Sequence, residues 1–233
     1  MIPVSGEARA RLDAEAAEII GRYPRSRSAL LPLLHLVQAE EGFVSDDGIA
    51  FCARHLGLTE AEVSAVVSFY TMYKRCPVGE YHVGVCTNTL CAVMGGDQIL
   101  AALHEHLGVA DDEPTPDGKV SLEHVECNAG CDYAPVVMVN WEFFDDITPD
   151  SARELVDGLR AGKDIAPSRG APRLVTWKQA ARILAGYPDD QATGGHTAGH
   201  ATLAGLRIAK EHGWTPDGGA TAVPAPRRDG GAE

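Results

Sequence analysis

Two segments of the chain share one pattern, in which a predicted strand leads directly into a pair of cysteines. The first is EYHVGVCTNTLC, from Glu80 to Cys91, and the second is VSLEHVECNAGC, from Val120 to Cys131. In the first segment apolar and polar residues alternate before the cysteines, which is typical of a half-buried strand. This pattern limits the fold more than any other feature, because a sheet that places the two strands side by side also brings four thiols together.

The residues before the first strand have helical periodicity instead. Apolar residues at helical spacing predict four short helices. A capping box that begins at Thr59 marks the start of the fourth, and Ser28 is the expected N-cap of the second. The predicted helices cover residues 6–22, 29–41, 47–56 and a segment that starts at residue 59. Short connections between four helices predict that residues 1–77 form a small helical bundle.

The residues after the first cysteine pair predict a compact α/β domain over residues 78–165. An amphipathic helix over residues 96–107 separates the two strands. A strand–helix–strand unit is expected to be parallel, with a right-handed crossover. A polar loop is predicted before the second strand, and two further strands and a helix follow the second cysteine pair; these elements cover residues 111–118, 136–139, 143–144 and 149–161. We therefore predict an α+β protein with a small mixed sheet.

The four paired cysteines are candidate metal ligands. Cys86 and Cys127 lie at or just past the carboxyl ends of the two predicted strands, and Cys91 and Cys131 lie in the loops that follow. Ligands of open α/β sheets bind at this edge. Four thiolates are the ligand set of a [2Fe–2S] cluster. The residues alone leave a structural zinc site and redox-active thiols as alternatives, although structural zinc favours the shorter C-x2-C spacing.

The other two cysteines and the common catalytic motifs do not indicate an active site. Cys52 lies on the apolar face of a predicted helix, where a free cysteine behaves as a small hydrophobic residue, and Cys76 precedes Pro77 and is given a structural role. The chain has no nucleophile elbow, no G-x-G-x-x-G loop and no Walker A motif. We therefore predict no catalytic residue.

Charge and hydropathy narrow the possible partners and the compartment. The net charge of −13 argues against nucleic acid as a partner, because nucleic-acid-binding domains usually carry a basic face. No apolar run is long enough for a transmembrane helix, and the first residues do not form a secretory signal. We expect a cytoplasmic protein without direct membrane insertion, in a reducing compartment where its thiols stay free.

The composition and the charge balance of the chain change near Ala166. The residues beyond it are rich in Gly, Pro, Ala and Thr, and the charge balance turns from acidic to slightly basic. We predict that residues 166–233 form a C-terminal extension that is partly a flexible tail. Within this extension a capping box at Thr176 predicts a helix over residues 177–184, and a second helix is expected near residues 201–211.

Five segments give the chain a resemblance to a known family. In chain order, over about residues 20–165, they are SALLPLLHLVQAEEGFVS, TEAEVSAVVSFYTMY, PVGEYHVGVCTNTLC, TPDGKVSLEHVECNAGC and APVVMVN. These segments resemble the thioredoxin-like [2Fe–2S] subunit of the NADH-oxidising module of respiratory complex I (NADH–quinone oxidoreductase), called the E subunit in bacteria. The C-x4-C and C-x3-C spacings are specific to this family and its close cousins.

The resemblance implies a fold, a cofactor and partners. It implies a thioredoxin-like ferredoxin domain in which Cys86, Cys91, Cys127 and Cys131 bind one [2Fe–2S] cluster. It implies that the preceding helices dock on the flavoprotein subunit, which carries FMN and the NADH site, next to a second iron–sulfur subunit in the peripheral arm of a membrane-bound complex. The cluster would exchange single electrons with that FMN, and the chain would have no NADH, flavin or quinone site of its own.

Two alternatives to this function stay open. Very similar subunits serve the diaphorase modules of NAD-reducing hydrogenases and NAD-dependent formate dehydrogenases, and a zinc-stabilised interaction module would have no redox role. The chain also departs from the family at Asn128, where many relatives have Leu, and this amide would add a hydrogen-bond donor near a sulfur. The resemblance further suggests a cis peptide bond between Ala134 and Pro135.

Overall fold

The computed structural model describes residues 6–189 and 198–214, and it divides the chain into two compact units, Met1–His196 and Thr197–Glu233. The described part of the second unit contains the helix α9 (Ala204–Glu211), which begins slightly later than expected. Most of the predicted flexible tail lies in residues 190–197 and 215–233, outside the described residues. Within the described residues, no helix is long and apolar enough to cross a membrane.

The first part of the larger unit is the predicted group of four α-helices. Their buried faces share one core, which includes Leu12, Leu34 and Phe51. The capping box at Thr59 is confirmed. The expected N-cap at Ser28 is wrong, because Ser28 lies inside a 3-10 helix, whereas an N-cap residue needs an extended backbone. The helices are α1 (Gly6–Gly21), α2 (Leu30–Glu41), α3 (Asp46–Leu56) and α4 (Glu60–Phe69).

The second part is a five-stranded mixed sheet in the order β2-β3-β1-β4-β5. The strands β1 and β3 are parallel, as predicted, and the other neighbouring pairs are antiparallel. Helices α6 and α7 pack against each other and against the sheet. The elements are β1 (Tyr81–Cys86), α5 (Thr89–Val93), α6 (Gly96–Leu107), β2 (Glu113–Pro114), β3 (Val120–Val125), β4 (Val137–Val139), β5 (Glu142–Phe144) and α7 (Pro149–Arg160).

Two short elements of the sheet region differ from the predictions. The strand β2 lies inside the predicted polar loop, and it is only two residues long. The helix α5 begins three residues after Cys86 and covers five residues. Neither element is long enough to show a periodic pattern in the sequence. The helix α5 matters for the site, because it carries Cys91.

A buried polar chain joins the helices to the sheet. The fully buried amide of Gln38 donates to the Met72 carbonyl (3.0 Å) and accepts from the Lys74 backbone N–H (2.9 Å). The ammonium of Lys74 contacts a carboxylate oxygen of Glu123 at 2.5 Å, and the other oxygen lies 2.6 Å from Nε2 of His82. Burial lowers the pKa of His82. The helical region is thus attached to β3, the strand that leads to the second cysteine pair.

The residues just after residue 165 also belong to the larger unit. The predicted helix α8 (Trp177–Leu184) is present and packs on α2. The indole of Trp177 is buried and donates a hydrogen bond to the Gly42 carbonyl at 2.7 Å. The Trp177 backbone N–H donates to the Glu80 carbonyl, immediately before β1. Residues on both sides of residue 165 therefore belong to one unit. The domain boundaries at residues 77 and 165 stay predictions.

Candidate metal centre

The two cysteine pairs follow neighbouring strands. Strands β1 and β3 pair in parallel so that Cys86 lies opposite Val125 at their carboxyl ends. One residue further, the Thr87 N–H donates to the Val125 carbonyl at 3.3 Å. The second pair begins two residues after β3, at Cys127. The predicted placement of both pairs at one edge of the sheet is confirmed.

The first pair is buried. Cys86 and Cys91 are each 3% exposed, and they pack with Ala134, Val136 and the ring of Phe143. The helix α5 holds Cys91 in this position after an N-cap at Asn88, whose side-chain oxygen accepts from the Thr89 N–H at 2.8 Å. Two thiols are thereby fixed by packing on one side of the site.

A glycine lets the backbone close around the first pair. A Cβ atom on Gly96 would lie 2.5 Å from the Cys86 carbonyl oxygen and 3.0 Å from that of Cys91. Real Cβ contacts are not this short, so only glycine fits between the two cysteine backbones. Gly96 is also the first residue of α6, and the free N–H groups of this helix end favour an anionic group nearby.

The second pair is exposed. Cys127 and Cys131 lie at the surface, and Cys131 starts a short 3-10 helix. The loop between them turns sharply, with Ala129 in the left-handed region at a φ of 54°. The Ala129 N–H donates to the sulfur of Cys127 at 3.3 Å. This half of the site therefore depends on a loop, whereas the first half depends on a packed strand and helix.

Thiols from both halves of the site lie close enough together to influence each other's pKa. Burial, together with the neighbouring thiols of Cys86 and Cys131, raises the pKa of Cys91 to about 11. The Cys86 thiol also approaches the Glu126 carbonyl, next to Cys127, at 3.9 Å. Cys86, Cys91 and Cys131 therefore lie near one another, and Cys127 lies on the same loop as Cys131. The convergence of all four thiols on one cluster stays a prediction.

The residues present fit an iron–sulfur cluster. In the described ranges, no three His, Cys, Asp or Glu side chains are close enough together to hold a single metal ion. The four thiols are the ligand type that a [2Fe–2S] cluster needs, since such a cluster is bound by four thiolates over two irons. The amide nitrogen of Asn128 is buried and has no hydrogen-bond partner within the described part of the chain, so a sulfur acceptor beside this loop would satisfy it.

The remaining predicted residues lie elsewhere. The buried position of Cys52 in the helical core is confirmed, and burial raises the pKa of its thiol to about 12. Cys76 is exposed. The peptide bond between Ala134 and Pro135, beside the first cysteine pair, is cis.

Sequence reasoning misses one residue next to the second pair, Arg169. The planar head group of Arg169 lies against Gly130, and a Cβ on this glycine would be 2.9 Å from Nη2. Arg169 occurs in a segment rich in proline and glycine, without periodicity, and several arginines follow one another along the C-terminal part of the chain. No signal in the sequence distinguishes it from the others.

Comparisons with known proteins agree with this geometry. Residues 16–160 match the family described as thioredoxin-like [2Fe-2S] ferredoxin. The E subunit of NADH-quinone oxidoreductase from Mycobacterium tuberculosis is 65% identical over 206 residues, which cover 87% of this chain and 81% of the relative. The NADH-quinone oxidoreductase subunit 2 of Thermus thermophilus is 41% identical over 149 residues, or 63% of this chain and 82% of the relative.

A solved structure has a similar fold. A chain of an NAD+-reducing [NiFe]-hydrogenase aligns with a TM-score of 0.51 and 18% identity, over 57% of this chain and 23% of the hydrogenase chain. At this identity the similarity concerns the fold alone. Together with the family match over more than half of the chain, these findings show that the protein belongs to the thioredoxin-like [2Fe–2S] ferredoxin family, together with the E subunit of NADH-quinone oxidoreductase.

Proposed function

We propose that Cys86, Cys91, Cys127 and Cys131 hold one [2Fe–2S] cluster and that the chain is an electron-transfer subunit of NADH-quinone oxidoreductase. When bound, such a cluster accepts and releases one electron at a time. One observation carries the proposal: two cysteine pairs follow neighbouring parallel strands at the same edge of the sheet. The names of the relatives at 65% and 41% identity support the assignment to this complex.

The residues of this chain would bind and shield the cluster. The buried thiols of Cys86 and Cys91 and the ring of Phe143 exclude water on one side. On the other side the short loop from Cys127 to Cys131 supplies two thiols, a backbone N–H and the unpaired amide of Asn128. This arrangement leaves the exposed pair as the side of the site that is open to solvent.

The surface beside the site suits a partner protein. The helix α5 and the residue after it expose Leu90, Val93 and Met94, and Val93 is 78% exposed although it lies two residues from Cys91. Apolar side chains of this kind usually mark an interaction surface in a subunit of a larger assembly. We propose that FMN and the NADH site belong to a flavoprotein partner, that a second iron–sulfur subunit lies next to it, and that the assembly forms a cytoplasmic peripheral arm.

The first experiment determines the metal. The protein is purified without oxygen, and its iron, acid-labile sulfide and zinc are measured together with its absorption and EPR spectra. We expect about two irons and two sulfides per chain, and an EPR signal from one unpaired electron after reduction with dithionite. A colourless protein with about one zinc per chain would instead identify the zinc-stabilised interaction module.

Matched variants determine the ligands. Cys127→Ser is compared with Cys76→Ser, since both side chains are exposed, and Cys91→Ser is compared with Cys52→Ser, since both are buried. We expect Cys127→Ser and Cys91→Ser to lose or severely change the cluster signal, while Cys76→Ser and Cys52→Ser keep it. Equal loss in a matched pair would contradict the ligand assignment.

The second candidate is a diaphorase subunit of a NAD-reducing hydrogenase or formate dehydrogenase. The fold shared with a hydrogenase chain is the observation that favours it. Affinity purification of the tagged protein from its own cells, followed by mass spectrometry, distinguishes the two candidates. Recovery with quinone-linked NADH dehydrogenase subunits supports our proposal, and recovery with hydrogenase or formate dehydrogenase subunits contradicts it.

A further inference from the structure

Arg169 lies outside the part of the chain that matches the family, residues 16–160, but its side chain reaches the candidate metal centre. Its backbone pairs with Phe143 as an isolated antiparallel bridge next to β5. Its side chain is only 14% exposed. Burying a charged group costs free energy unless the group is paired and hydrogen-bonded, so the burial of Arg169 indicates specific interactions with its surroundings.

The guanidinium lies against the loop of the second pair and reaches the first pair through the ring of Phe143. Its central carbon lies 4.1 Å from the centre of the Phe143 ring, and this ring packs against the apolar group that contains Cys86 and Cys91. On another side, Nη2 is so close to Gly130 that a Cβ there would lie 2.9 Å away. Gly130 precedes Cys131 directly, so the cation lies against the backbone of the second cysteine loop.

Several carboxylates lie near Arg169. Asp145 forms a two-point ion pair with it, at 3.1 Å and 3.2 Å. Asp146 and Asp132 are close enough to Asp145 to act on its carboxylate, and Asp132 directly follows Cys131. The second cysteine loop is therefore near several carboxylates, and Arg169 is the cation that contacts it through Gly130. Removal of the guanidinium would therefore make the net charge near the loop more negative.

We propose that Arg169 sets the reduction potential of the [2Fe–2S] cluster and that Asp145 opposes it, an inference that rests on the ligand assignment under the proposed function. Reduction adds one electron from a donor, which is the flavin of the partner or dithionite in the test, and no bond forms or breaks. A fixed positive charge in a partly buried position stabilises the additional negative charge, and net charge is an established determinant of cluster potentials.

The test exploits the opposite signs of the two charges. The midpoint potential is measured by EPR-monitored redox titration of the purified protein at pH 8. Arg169→Gln is expected to lower the potential, and Asp145→Asn is expected to raise it. We expect each variant to change the equilibrium constant of one-electron reduction about tenfold, which corresponds to about 59 mV. The double variant, which lacks both charges, is expected to lie between the two single variants.

Two further variants separate charge from packing. Arg169→Lys keeps the positive charge but not the planar stacking, and it is expected to stay closer to the unchanged protein than Arg169→Gln. Arg182→Gln is a matched control, because Arg182 also forms an ion pair, with Glu15 at 2.8 Å, and also stacks over a ring, that of Tyr187 at 4.4 Å. No shift of the midpoint potential is expected for this control.

Each outcome supports or overturns the inference. Opposite shifts in the two single variants support it, whereas shifts of the same sign, or none, would leave Arg169 a purely structural role. If Arg169→Gln retains no cluster, Asp145→Asn and Arg169→Lys still decide, since only an electrostatic role predicts a raised potential for Asp145→Asn. A protein that binds no cluster before any substitution would instead refute the proposed function itself.

Discussion

The two cysteine loops share one edge of the sheet, but they are built in different ways. In the first loop both thiols are 3% exposed, and a strand, a short helix and Gly96 hold them from all sides. In the second loop both thiols are exposed, and the backbone turns through Ala129 before a 3-10 helix of three residues begins at Cys131. The second loop is held mainly by single contacts, among them the guanidinium of Arg169 against Gly130.

This difference indicates that packing alone positions the first cysteine pair, whereas a bound cluster completes the position of the second pair. A buried apolar group keeps its geometry with or without a bound metal, because close packing resists displacement. An exposed loop with few buried contacts is drawn from the low-stability end of a structure. We infer that the first pair is preformed and that the second pair closes around the cluster, so that binding stabilises chiefly the second loop.

The largest expected effect tests this comparison directly, through serine substitutions of the four cysteines. All four are expected to lose or severely change the cluster, but their effects on the metal-free protein should differ. Cys86→Ser and Cys91→Ser bury a hydroxyl in an apolar group, which costs about 1–3 kcal/mol when its hydrogen bonds are not satisfied. Cys127→Ser and Cys131→Ser lie at the surface, where substitutions usually stay within about 0.5 kcal/mol.

Urea denaturation of the metal-free variants, followed by circular dichroism, measures these free energies. Cys76→Ser serves as an exposed control outside the site, and it is expected to match the second pair. If the four site variants lost equal stability, the contrast between a preformed and a ligand-completed half would be wrong.

The shared edge of the two pairs is predictable from the sequence, but the contrast between them is not. Alternation before Cys86 and the amphipathic segment between the strands predict parallel neighbours, and the parallel pair β1–β3 confirms this. The burial of the first pair depends on Phe143 in β5 and on Val136, the residue just before β4, which reach it through tertiary packing. No local pattern around the cysteines contains that information.

Other features that the sequence does not predict also come from short elements or from long-range packing. The helix α5 is too short to create a periodic signal, so the position of Cys91 on a helix is found only in the structure. Arg169 comes from a segment without periodicity and acts through a long-range contact. The α8 helix was predictable from its capping box, whereas its packing on α2 depends on the burial of Trp177, far along the chain from its partners.

The next largest effect compares the two glycines of the site. In Gly96→Ala the new Cβ would meet the backbone of both buried cysteines at 2.5 Å and 3.0 Å, and backbone cannot move aside easily. In Gly130→Ala it would meet side chains, those of Arg169 at 2.9 Å and Val136 at 3.0 Å. We expect Gly96→Ala to cost about 1–3 kcal/mol of unfolding free energy, as overpacking does.

The same comparison predicts a different consequence for Gly130→Ala. Its loss of stability should be smaller, because the end of the Arg169 side chain can shift. The cluster should still bind, but with a changed potential, since the shifted guanidinium acts from a greater distance. Denaturation curves of the metal-free proteins and redox titration of the loaded proteins give both quantities. A larger loss of stability in Gly130→Ala than in Gly96→Ala would reverse the roles assigned to the two loops.

The smallest expected effect concerns one asparagine in each loop region. The buried amide nitrogen of Asn128 has no hydrogen-bond partner among the residues that the structure describes, whereas Asn88 uses its side-chain oxygen to cap α5. We expect Asn128→Leu to lower the midpoint potential, because a donor to sulfur stabilises the reduced cluster. A neutral donor contributes less than a full charge, so the shift should correspond to less than about a tenfold change in the equilibrium constant, or about 59 mV.

Asn88→Ser is the control for this prediction, because serine keeps the cap of α5 and the amide there has no assigned role toward sulfur. Both variants are titrated under EPR at the same pH. A lowered potential in Asn128→Leu alone would mean that the exposed loop tunes the cluster through its side chains while the buried loop only holds it. Equal shifts in both variants would instead mean that the potential responds to any change near the thiols, and the functional distinction between the loops would then be lost.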